Sequence, residues 1–143
     1  MTQQQIKLVQ QCWESIRPIS KQAGFNFYEK LFAAAPGIRH LFKEDITEQS
    51  GKLAMMLNFV VGKLHRINDI KDDIRKLGVT HNQYGAKKEH YDLVGKCLLE
   101  TLQEGLGNKW NDELKDSWIA VYEELTETMI KAQEQAANVQ PAA

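Results

Sequence analysis

Three polar side chains interrupt apolar helical stripes in this sequence, and their types are those that hold or contact a bound group. Gln49 stands four residues before Leu53, on the stripe that continues through Met56, Leu57, Val60, Val61 and Leu64. Tyr28 sits among Gly24, Phe25, Leu31 and Phe32, and His81 closes a stripe of Ile70, Ile74 and Leu77. An unpaired buried polar group costs about 1–3 kcal/mol, so three such groups on three helices can converge on something polar. An imidazole offers a lone pair to a metal, while a phenol and a primary amide offer donors to a polar ligand. Each also has a plainer role open to it. A histidine on an apolar stripe can bond a nearby carbonyl, a tyrosine can reach the surface, and a glutamine at a helix start can be solvated.

Helices must position these residues, because no segment shows the alternation of a strand. Thr2, with Gln5 three residues on, suits the cap of a first helix carrying Ile6, Val9, Trp13 and Ile16, which Pro18 interrupts. The Tyr28 helix ends near Ala35, and Pro36 opens a short helix towards Phe42. Asn68 or Asp69 is placed to cap the helix of His81. Tyr91, Val94, Leu98 and Leu102 mark the next helix, closed by Gly105 and Gly107. A last helix from Asn111 carries Trp118, Val121, Tyr122, Leu125 and Met129. About seven helices without strands predict an all-α domain over residues 1–135, with 136–143 as a frayed or disordered tail.

Composition excludes several classes of function. The chain has 143 residues, with 18 Lys and Arg against 19 Asp and Glu, so no basic excess points to nucleic acid. No stretch reaches the roughly 20 apolar residues of a membrane span. The start, MTQQQIKLVQQCW, lacks the form of a signal peptide, and a cytoplasmic location is expected. Cys12 and Cys97 lie in apolar helical patterns and read as buried free thiols rather than a disulfide or zinc site.

Five segments in order resemble single-domain bacterial globins of the flavohaemoglobin type. FYEKLFAAAPGIRHLF, residues 27–42, places the family's tyrosine and its haem-packing phenylalanine, fourteen residues apart, on Tyr28 and Phe42. QSGKL places the ligand-facing glutamine on Gln49 and the apolar gatekeeper on Leu53. THNQYG, thirty-two residues beyond Gln49, places the haem-ligating histidine on His81. HYDLVGKCLLETLQEGLG, residues 90–107, puts Tyr91 ten residues after His81, and WIAVYEEL, from Trp118, resembles the final helix. The resemblance covers about residues 3–133 and implies a globin-like 3-over-3 helical sandwich, with a short loop between the third helix and the distal helix.

That resemblance implies haem b, iron protoporphyrin IX, ligated by His81 with Leu77 as local acceptor for the other ring nitrogen. Tyr28 and Gln49 would donate to bound dioxygen and serve any catalysis, with nitric oxide and carbon monoxide as further ligands. Phe42, Leu53 and Tyr91 would contact the cofactor or its histidine. Lys52 either reaches a haem propionate or is a solvated charge. Gly24 and Ser50 would let two helices cross closely. High-affinity dioxygen binding with nitric oxide dioxygenase capacity is expected, its electrons coming from a separate reductase. The alternative is gas binding, transport, storage or sensing without turnover, in a monomer or weak homodimer; a haem-free interaction module is disfavoured by Phe42 and His81. One departure stands out: the family's final-helix glutamate falls on Gln133, fifteen residues after Trp118, which weakens the push for O–O cleavage. His40, His65 and His90 are expected to be surface or structural residues.

Overall fold

Thr2 caps the first helix through a reciprocal box with Gln5, each side chain bonding the other's backbone N–H. The computed structural model describes residues 1–83 and 85–139, the last three by backbone alone. Its α-helices are α1 (Gln3–Ile16), α2 (Ser20–Ala34), α3 (Ile46–Gly62), α4 (Lys71–Gln83), α5 (Lys88–Leu106) and α6 (Asp112–Val139). Short 3-10 stretches at Arg17–Ile19, Pro36–Leu41, Leu64–Ile70 and Gly107–Lys109 join them, and the described residues contain no strand. Pro18 and Pro36 each stand at the start of such a stretch, where a missing N–H costs least.

The helices stack as two layers of three, the globin-like sandwich. α1, α3 and α4 lie over α2, α5 and α6, with α4 on α6, α2 on α3 and α1 on α6 as crossings between layers. Apolar stripes meet between the layers, with Val9, Trp13, Ile16, Val61, Leu64, Trp118 and Val121 nearly inaccessible. Only Phe42 to Asp45 separates the Pro36–Leu41 stretch from α3, and Asp45 caps α3 by accepting Glu48 N–H at 2.8 Å. Asn111 caps α6 in the same way, accepting Leu114 N–H at 2.8 Å.

One helix start differs from expectation. Neither Asn68 nor Asp69 caps α4, because the 3-10 stretch kinks at Arg66 (φ −134°, ψ 43°) and then runs straight into Lys71. Preceding carbonyls can serve the first N–H groups of such a junction, and Asp69 pairs with Arg66 at 2.8 Å instead. At the far end α6 continues to Val139, across part of the expected tail, while residues 140–143 and Tyr84 lie outside the described residues. Cys12 and Cys97 are buried free thiols, and burial raises the pKa of each.

Two close crossings fix helix positions. A methyl on Gly24 would come within 3.0 Å of the Ser50 carbonyl oxygen, so α2 and α3 approach as closely as the small pair allows. Gly78 is tighter still, since its missing Cβ would overlap the backbone of Met129 on α6.

Candidate functional site

His81 reaches the site because α4 rests on α6 at Gly78, less than one turn earlier. Its Nδ1 lies 2.7 Å from the Leu77 carbonyl oxygen, and a carbonyl only accepts, so Nδ1 carries the proton. Nε2 therefore keeps its lone pair, the form in which imidazole binds metals. Burial lowers the His81 pKa, outweighing the opposite pull of the Leu77 carbonyl, and keeps the ring neutral.

That ring borders a cavity of about 970 Å³, counting the part open to solvent. Phe27 of α2, Leu53, Leu57 and Val61 of α3, Ile74 and Leu77 of α4, Val94 and Leu98 of α5, and Val121, Leu125 and Met129 of α6 give it an apolar wall. Apolar walls of this kind suit a flat hydrophobic cofactor and exclude water from its metal. The residues thus fit a haem: His81 presents a neutral lone pair at the edge of a largely apolar space. No cluster of three or more His, Cys, Asp or Glu suited to a bare metal ion occurs among the described residues.

Behind His81, the Tyr91 ring stacks at 6.1 Å between centroids and 28° between planes. Tyr91 donates to Gln133 Oε1 at 2.8 Å, and Gln133 Nε2 donates to the Ala86 carbonyl. Tyr122 in turn donates to the Tyr91 carbonyl. This chain of bonds ties α6 to α5 and to the loop after α4. It is neutral throughout, and it does not reach His81 Nδ1, which Leu77 occupies.

Tyr28 and Phe42 stand in an aromatic cluster beside the cavity rather than in its wall. Their ring centroids are 5.6 Å apart, with Phe32 5.8 Å from Tyr28 and 5.2 Å from Phe42. Leu53, Val94 and Leu98 pack against this cluster and also line the cavity, which makes the two spaces neighbours. Tyr28 is 6% exposed, its hydroxyl has no hydrogen-bond partner among the described residues, and burial pushes its pKa up to about 12. Arg39 braces Phe42 by donating to its carbonyl at 2.9 Å while lying over the Phe32 ring.

Of the residues expected at the site, Leu53, His81 and Tyr91 share the cavity wall. Gln49 is half-buried in the first turn of α3 and outside that wall. Lys52 is exposed and ion-paired with Glu44. His90, expected at the surface or in a structural role, lines the wall, and its Nδ1 also accepts the Lys87 N–H at 2.9 Å. Its place at the first turn of α5, beside Tyr91, was the only signal in the sequence.

Comparisons with known proteins agree with this fold. A family profile described as Globin matches residues 25–129. An anaerobic nitrite reductase of Gossypium hirsutum is 31% identical over 95% of this chain and 94% of that protein. An anaerobic nitrite reductase of Casuarina glauca is 28% identical over 87% of each. In three dimensions, a bacterial globin from Campylobacter jejuni matches with a TM-score of 0.83 at 22% identity, over 96% of this chain and 99% of that one. An engineered carbene transferase from Rhodothermus marinus, named as a candidate nitric oxide dioxygenase, matches at 0.89 and 24% identity over 97% of both.

Proposed function

Because the chain belongs to the globin family, we propose that residues 1–135 form a haem b protein that binds dioxygen reversibly through His81, with capacity to oxidise nitric oxide. Family membership supports a haem cofactor and the binding of small gases. The single observation that carries the finer reading is the proton on His81 Nδ1, held by Leu77, which turns the Nε2 lone pair towards the cavity edge. His81 would hold the haem, which would supply an iron centre able to bind a small gas.

The chain's own residues set what that centre can do. Leu77 fixes the His81 tautomer and ring plane, and a neutral carbonyl raises the ring's basicity less than a carboxylate would. Tyr28 supplies a protonated hydroxyl with no competing protein acceptor, and Gln49 supplies a second neutral donor from the start of α3. Leu53 lines the apolar cavity, Phe42 backs it from the neighbouring aromatic cluster, and Lys52, paired here with Glu44, would be a cation for a propionate. Donors of this kind favour a polar gas such as dioxygen over carbon monoxide. The nitric oxide dioxygenase name of the Rhodothermus marinus neighbour supports turnover, with electrons from a separate reductase. Among the described residues no helix is long and apolar enough to cross a membrane.

The alternative is gas binding, storage or sensing without turnover, which the all-neutral network behind His81 favours. Nitrate yield decides between them. With dioxygen, nitric oxide and a matched reductase, many equivalents of nitrate per haem support the dioxygenase, and one equivalent supports binding alone. His81→Ala is expected to lose the Soret spectrum of a histidine-ligated haem, while His40→Ala and His65→Ala keep it. A Soret spectrum unchanged in His81→Ala overturns the assignment.

A further inference from the structure

The polar side chains of the cavity wall can be accounted for donor by donor, and its two histidines come out as opposite tautomers. Tyr91 donates to Gln133 Oε1, Tyr122 to the Tyr91 carbonyl, Thr126 to the Glu123 carbonyl and Trp118 to Cys12 Sγ. His81 gives its Nδ1 proton to Leu77. His90 differs, because its Nδ1 faces the backbone N–H of Lys87, which can only donate. Nδ1 of His90 therefore holds the lone pair, and the proton of the neutral ring sits on Nε2. Among the described residues, that Nε2–H is the one side-chain donor of the wall without a protein acceptor.

We propose that His90 holds a carboxylate of the cofactor, its Nε2–H donating to one haem propionate. The inference rests on the haem reading and assigns the site a second anchor. His90 is half-buried, so its donor stands where the apolar wall meets solvent, the place for the carboxylates of an otherwise buried haem, and these are the strong acceptors that a haem carries. One wall thus presents both complements of the group: the lone pair of His81 for its metal and the proton of His90 for its acid. Lys87, Lys88 and Glu89, all exposed, precede His90 in the chain, two cations against one anion. The cap also fixes the ring, so the donor is oriented before the cofactor arrives.

The test compares protohaem with its dimethyl ester, whose carboxylates are masked, in the full-length chain. Release to an excess of a haem-scavenging protein is followed by the Soret band. His90→Asn keeps an acceptor for Lys87 N–H, since Oδ1 stands as many bonds from Cα as Nδ1 does, and it deletes the Nε2–H. His90→Glu keeps a strong cap in the same position and places a like charge against the carboxylate. Both variants are expected to release protohaem faster than the wild type, His90→Asn by about tenfold and His90→Glu by more. Release of the dimethyl ester is expected to be the same in all three proteins. Equal protohaem release in all three, or acceleration of haem and ester alike, overturns the proposal and leaves His90 a helix cap only. A wild type that takes up neither porphyrin overturns the haem reading itself, so the two failures are distinguishable.

Discussion

Burial pushes the Tyr28 phenol up to about 12, so its hydroxyl stays protonated and neutral throughout the physiological range. A donor that does not titrate gives a ligand complex insensitive to mild acid or base. We expect the dioxygen dissociation rate, measured by laser photolysis or stopped flow, to stay within about twofold from pH 6 to 9. Tyr28→Phe removes the donor and keeps the ring among Phe27, Phe32 and Phe42. Losing a hydrogen bond worth about 0.5–1.5 kcal/mol raises that rate up to roughly tenfold, with carbon monoxide release changing little. An unchanged dioxygen rate in Tyr28→Phe means that the hydroxyl does not serve the ligand. At this scale the sequence was readable where a bond is local, as with His81 and the Leu77 carbonyl four residues back. His90 was not readable, because a residue next to Tyr91 lies about 100° round the helix and only packing decides what it faces.

The placement of α4 depends on the absence of a side chain at Gly78. An alanine methyl there would overlap the Met129 backbone, and backbone cannot rotate away as a side-chain tip can. Gly78→Ala is therefore expected to cost about 1–3 kcal/mol by overpacking, seen as a lower Tm. His81, three residues on, shifts with the helix, and haem release should quicken. Gly51→Ala is the control, since nothing lies within 4 Å of its missing Cβ. Placed inside α3, that change should stabilise by about 0.5–1 kcal/mol. A Gly78→Ala protein that melts and holds haem like the wild type would show that α4 can slide on α6. The helices themselves were legible from apolar spacing and from caps such as Thr2 and Asn111. The start of α4 was not, because a 3-10 run serves its first N–H groups without any capping side chain. The Gly78 crossing escaped too, since periodicity marks which face is apolar and not how closely two backbones approach.

Across the whole molecule, three phenols, two buried and one half-buried, respond to alkali together. Desolvation raises the pKa of Tyr28, Tyr91 and Tyr122 above the ordinary value of 10.0. For an acid raised in the folded state, the unfolded chain ionises first. The stability is whole below pH 10 and is lost as pH rises from there through about 12. Tyr28 alone accounts for on the order of 2 kcal/mol of that loss. Denaturant stabilities of the wild type and Tyr28→Phe should differ by a constant amount below pH 10, and above it the wild type should lose more than the variant. Parallel curves up to pH 12 would mean that the phenol ionises without unfolding.

The contact of Gly78 with Met129 also has a bearing on synthesis. α4 leaves the ribosome well before α6, yet α6 supplies both its seat at Met129 and the far wall of the cavity. At about 5–20 residues per second, the nascent chain spends several seconds with His81 already made and its support still missing. Cofactor capture is then a late event in the life of the chain, possible only once the last helix has emerged and docked. A nascent chain halted before Met129 has His81 and no pocket in which to use it.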